Sequence, residues 1–158
     1  MSEAKILPTI DGDVINDKAW EGLSTIKTFT QKSPDEGNLS TEKTIVKIMY
    51  SEQTFYVSVV CYDSDPNKIV ITDTRRDAPL DNTDSFMFVL DTYQDQQNGF
   101  VFGTNAGGIE YDAQVSGGGE GMSISSTRQS VGIGANFNIN WDAAWEFKTN
   151  IVDFGWSA

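Results

Sequence analysis

Apolar and polar positions alternate with a period of two along most of this chain, the mark of half-buried β-strands. The clearest pair is Thr44-Ile-Val-Lys-Ile-Met-Tyr50 and Thr54-Phe-Tyr-Val-Ser-Val-Val-Cys-Tyr62, joined by Ser51-Glu-Gln. In the second strand Phe55, Val57, Val59 and Cys61 share one face, and Tyr56, Ser58, Val60 and Tyr62 share the other. A continuous apolar run, Phe86-Met-Phe-Val-Leu90, leads into the acid- and amide-rich turn Asp91-Thr-Tyr-Gln-Asp95-Gln-Gln-Asn-Gly99, followed by Phe100-Val-Phe102. Apolar runs bounded by Gly, Asn and Asp predict strands buried on both faces, here as a hairpin with a carboxylate-bearing rim. Further strands are expected around Ile109, over Asn136–Trp141 and over Ala144–Ile151. In the last, Trp145, Phe147 and Ile151 face inward and Glu146, Lys148 and Asn150 face out.

The remaining stretches are weaker. Ile6–Ile10 predicts a short strand that Pro8 confines to an edge. Asn16-Asp-Lys-Ala-Trp20-Glu-Gly22 carries an Asx cap and a Gly stop, so one or two helical turns are expected, with Trp20 as a core plug. Ser24–Gln31 and Lys68–Thr72 are candidate short strands. Ser116 to Asn136 is Gly-rich and predicts a flexible surface loop; without a following Lys-Ser/Thr or a helical pattern it does not suit phosphate binding. At Phe154-Gly-Trp-Ser-Ala158 a further strand begins. Short strands between turn signals, without a long helix or βαβ alternation, predict an all-β antiparallel sandwich in one domain spanning residues 1–158.

Composition narrows the chemistry. The 158 residues carry 23 acidic and 11 basic side chains, a net charge of −12. That disfavours nucleic acid and anionic membrane partners, and suits a cation or a neutral ligand such as a sugar. Histidine is absent, which removes the commonest general base and the usual zinc and haem ligand. The single cysteine, Cys61, lies in an apolar strand pattern and is expected to be buried and inert. Nothing sets two carboxylates apart in contrasting surroundings, so a non-enzymatic protein is expected. No run reaches the roughly 20 apolar residues of a membrane helix. Met1-Ser-Glu-Ala has no leader pattern, which fits either a cytoplasmic protein or a chain that starts after a removed signal.

Several stretches together resemble a known family. Pro8-Thr-Ile-Asp11-Gly12 with Ala19-Trp20 is similar to the opening of family 9 carbohydrate-binding-module-like domains. So are Thr44–Tyr50, Phe55-Tyr-Val-Ser-Val and Tyr62-Asp63, and the later series Arg76-Asp77, Asp84, Phe88-Val-Leu90-Asp91-Thr, Asp95, Phe102, Asn105, Gly108 and Asp112. The nearest look-alikes are N-terminal domains of large secreted or outer-membrane-associated bacterial proteins. The resemblance implies a jelly-roll-like β-sandwich, non-catalytic sugar binding between two aromatic rings, structural calcium, and a periplasmic, outer-membrane or secreted location. It also implies one further strand after Gly155-Trp156, so the chain reads as a fragment with an open edge that invites pairing with a second copy.

Candidate residues follow. Tyr62, Trp141, Trp145 and Trp156 are the candidate stacking rings, with Arg76 and Asn105 as polar partners. A flat ring under the apolar face of a sugar buries on the order of 100 Å², worth roughly 2–3 kcal/mol, so two rings are needed for useful affinity. Trp141 and Trp145 share parity if Asp142-Ala-Ala leaves the strand unbroken, and each reads either as core or as platform. Calcium takes about 6–8 oxygen ligands, which Asp91 and Asp95 on the hairpin turn could supply, with Asp77 and Asp84 on the charged loop. Those same acids could instead cap turns. A rival role is a structural or interaction domain of an outer-membrane-associated assembly, which expects Trp141, Trp145 and Trp156 to be mostly buried.

Overall fold

The computed structural model describes residues 1–117 and 136–158. The chain is all-β, with two sheets rich in antiparallel pairs, as expected for a β-sandwich, and with one-turn 3-10 segments at Lys18–Trp20 and Pro66–Lys68. It forms two compact units, residues 1–69 with 147–158, and residues 70–146.

The first unit holds a six-stranded sheet: β1 (Ser2–Glu3), β2 (Thr25–Ile26), β3 (Thr44–Tyr50), β4 (Phe55–Tyr62), and, across the 70–146 unit in sequence, β9 (Asn150–Val152) and β10 (Gly155–Ser157). The order runs β1-β3-β4-β10-β9, with β2 also on β3. The β3–β4 pair keeps the predicted faces: Ile45 lies opposite Val60 and Lys47 opposite Ser58. The Lys18–Trp20 turn is capped by Asp17, whose carboxylate accepts from the Ala19 N–H at 2.8 Å. It drives Trp20 into a core with Val14, Met49 and Val60. The predicted plug is therefore present.

β10 is paired on both sides: Trp156 lies opposite Cys61 on β4 and Ile151 on β9. Only glycine fits at position 155. Its φ of 141° is a region that other residues rarely adopt, and a side chain there would collide with the Cys61 carbonyl oxygen. Ser157 Oγ donates to the Gly12 carbonyl at 2.7 Å, tying the N-terminal segment to this strand.

The second unit holds a four-stranded sheet in the order β5 (Ser85–Leu90), β6 (Gly99–Asn105), β7 (Tyr111–Ser116), β8 (Asn136–Asn138). The predicted hairpin is β5–β6, but β5 is an edge strand, and its residues are half-buried or exposed rather than buried on both faces. The buried apolar strand is central β6. One face of this sheet carries Val101, Tyr111, Ala113 and Val115, covered by Ala78 and Leu80 from the preceding loop. On the other face Phe86, Phe88, Phe100 and Phe102 form an aromatic band.

Several expectations differ in place. Residues 6–10 and 68–72 form no strand. Ile6 and Leu7 stay exposed. Val70 is held by single bonds in place of a ladder: its N–H donates to Asp84 Oδ2 at 2.6 Å, and its carbonyl accepts from Thr83 Oγ1 at 2.8 Å and from the Asp84 N–H at 2.9 Å. Residues 141–149 form no strand, and the paired stretch is 150–152. Exposure still alternates there, with Trp141, Trp145 and Phe147 half-buried and Glu146 and Lys148 exposed. Ile151 is exposed rather than inward because β9 is an edge strand. Cys61 is half-buried. The Gly-rich loop falls largely on residues 118–135, outside the described residues.

Candidate functional site

Carboxylates gather around one guanidinium in the 70–146 unit. A turn at Arg75–Ala78 places it: the Ala78 N–H donates to the Arg75 carbonyl, and Asp77, at a φ of 57°, donates its N–H to the Glu110 carbonyl at 2.9 Å. With Ala78 and Leu80 anchored in the core, the Arg76 side chain is held over four acids. It pairs with Asp142 at 2.6 Å, Glu110 at 3.2 Å, Asp112 at 3.3 Å and Asp77 at 3.6 Å. Glu110, just before β7, and Asp112, within it, are two residues apart, a spacing that sends both side chains to one face of an extended chain. Burial works against the charge on Arg76. The fields of Glu110, Asp142 and Asp112 outweigh it and raise its pKa further.

Asp112 is the hub. Its side chain is 1% exposed. Oδ2 accepts from Arg76, from the Ala143 N–H at 3.2 Å and from Trp145 Nε1 at 3.1 Å. These bonds tie Ala143 and Trp145 to β7. Trp145 packs edge-on against Phe102 at 5.3 Å, and Trp141 stacks on Phe100 at 4.6 Å. Asp112 lies opposite Phe102 in the β6–β7 register, so the acids and the rings occupy one face of the sheet.

Four carboxylates against one guanidinium leave negative charge in excess. Glu110, Asp112 and Asp142 each offer an oxygen, all within 4.8 Å of one another. That span is about twice a calcium–oxygen distance of roughly 2.4 Å, so one ion could touch all three. Asp112 Oδ1 and Asp77 Oδ1 are buried without a hydrogen-bond partner among the described residues. Glu110, Asp112 and Asp142 are the residues that would hold a hard cation such as calcium, which would neutralise their excess charge.

Of the residues nominated from sequence, Arg76, Trp141, Trp145 and Asp77 meet here, and the others lie elsewhere. Asn105 is buried: its Oδ1 accepts from the Gly107 and Ile109 N–H groups, and its Nδ2 donates to the Asp73 carbonyl at 2.9 Å. Asp84 brackets Val70, as above. Asp91 accepts from the Asp95 and Gln96 amides, and Asp95 from those of Gln97 and Asn98. These two acids shape the turn, and the bonds from Asn98 hold the Asp95 carboxyl below its usual range. Trp156 is a core residue at 2% exposure. Tyr62 stacks on Phe154 at 5.2 Å with the Lys43 ammonium over its ring. Glu110, Asp112 and Asp142 went unnominated. The i, i+2 acids before an apolar strand were a usable signal for Glu110, whereas Asp142 needed the long-range fold.

No family model, curated protein or solved structure matches the chain.

Proposed function

We propose that the chain is a non-catalytic carbohydrate-binding module of a larger extracytoplasmic bacterial protein, with calcium held by Glu110, Asp112 and Asp142. One observation carries this: Arg76, Trp141 and Trp145, nominated separately as polar and stacking partners, come together on one side of a sheet. Sugar recognition asks for this pairing of flat apolar surface with hydrogen-bonding groups at its edge. Arg76 and Asp142 are the accessible polar groups, with side chains 42% and 71% exposed. A neutral sugar also avoids the charge penalty that a −12 chain imposes on anions. Tyr62, Asn105 and Trp156 belong to the scaffold in this reading.

The test is calorimetric titration of the full chain with neutral mono- and oligosaccharides, with and without calcium. Saturable binding that is lost in Trp141→Ala and Trp145→Ala supports the module. Absence of binding across the panel with calcium present favours a structural or interaction domain.

A further inference from the structure

A second site lies in the unit formed by residues 1–69 and 147–158, on the face of the β3–β4 pair covered by the Lys18–Trp20 turn. A cleft of about 180 Å³ opens there, with Val14, Ile45, Val60, Trp20 and Tyr62 among its walls. For comparison, a dry apolar cavity of about 150 Å³ admits benzene.

Its polar groups are unevenly occupied. Lys47 Nζ donates to the Trp20 carbonyl at 2.8 Å. Both Asp17 oxygens are taken, by the Thr9 N–H at 2.9 Å and the Ala19 N–H at 2.8 Å. Ser58 differs: it lines the cleft, is 1% exposed, and its Oγ has no hydrogen-bond partner among the described residues. A buried hydroxyl left unpaired is costly, and alanine or valine would fill this β-strand position without that cost. Retaining serine makes sense where a ligand supplies the partner.

We propose that this cleft binds a compact, uncharged ring bearing one hydroxyl or carbonyl group, with Ser58 Oγ as its polar anchor. The size follows from the volume. The ring follows from two aromatic and four aliphatic walls, Ile15 being the fourth. The lack of charge follows from Lys47 and Asp17 already being engaged, from Glu21 lying exposed to water at the rim, and from the acidic balance of the chain.

Phenol and benzene are the probes, titrated into the full chain and followed by the methyl NMR signals of Val14, Ile45 and Val60. Both probes should shift these signals saturably, with phenol bound about fivefold more tightly than benzene through its one extra hydrogen bond. In Ser58→Ala that preference should vanish while benzene binding remains, and urea unfolding should show the variant at least as stable as the parent chain. Non-saturating shifts with both probes, or an unchanged phenol preference in Ser58→Ala, overturns the proposal. So does a clear loss of stability in Ser58→Ala, because it would show the hydroxyl satisfied within the fold.

Discussion

Replacing Asp112 with alanine tests whether one buried carboxylate organises the candidate site. The substitution removes the common acceptor of Arg76, the Ala143 N–H and Trp145 Nε1–H. Arg76 keeps Glu110 and Asp142, so its charge is not stranded. The other two donors lose a charged acceptor, and a bond of that kind contributes about 1.5–3 kcal/mol. Both are half-buried, so water recovers part of the loss. Relief of repulsion among the remaining, more exposed acids offsets less than about 1 kcal/mol. The expected net loss is about 3 kcal/mol, or about 6–12 °C in Tm for a chain of this length. Asp112→Asn keeps an acceptor oxygen and should lose about half as much. Urea unfolding followed by tryptophan fluorescence reads both variants. A loss below about 0.5 kcal/mol in Asp112→Ala would refute the claim that this carboxylate holds Ala143 and Trp145 in place.

Calcium should raise the Tm of the parent chain in a saturable way, and the effect should disappear in Glu110→Gln and Asp142→Asn; equal shifts in all three would place the ion elsewhere. Trp156→Ala should cost about 3–5 kcal/mol in urea unfolding, as a buried aromatic does, and a cost below about 1 kcal/mol would contradict its place in the core. The Asp95 carboxyl, lowered by its bonds from Asn98, stabilises the hairpin turn above the usual value of 3.8 and loses that contribution as pH falls from there through its lowered folded value. The Asn98 amide NMR signals should therefore titrate below 3.8, and a midpoint at or above it would count against these bonds.

Local pattern captured what local geometry decides. The two faces of β4, the Trp20 plug and the β5–β6 hairpin all follow from alternation, capping and turn chemistry within a few residues. Placement that depends on distant partners was not legible. The apolar stretch at 68–72 looks like a strand, yet Val70 is claimed by Asp84 and Thr83. Residues 141–149 alternate in exposure without forming a strand, because alternation reports which side of the backbone is covered and not how the backbone is paired; here Asp112 is one of the groups that cover them. The site itself was half legible. Its aromatic and arginine members stood out by residue type. Of its acids only Asp77 did, because turn-capping Asp91 and Asp95 are indistinguishable in sequence from acids that the fold gathers around one arginine.

The most direct measurement of the binding role is an NMR titration of the four indole N–H signals with neutral saccharides in the presence of calcium. The Trp141 and Trp145 signals should move together and saturate while those of Trp20 and Trp156, buried in the core, stay in place. Saturable movement confined to Trp20 or Trp156, or no movement with any saccharide, would contradict a sugar site built on Arg76, Trp141 and Trp145.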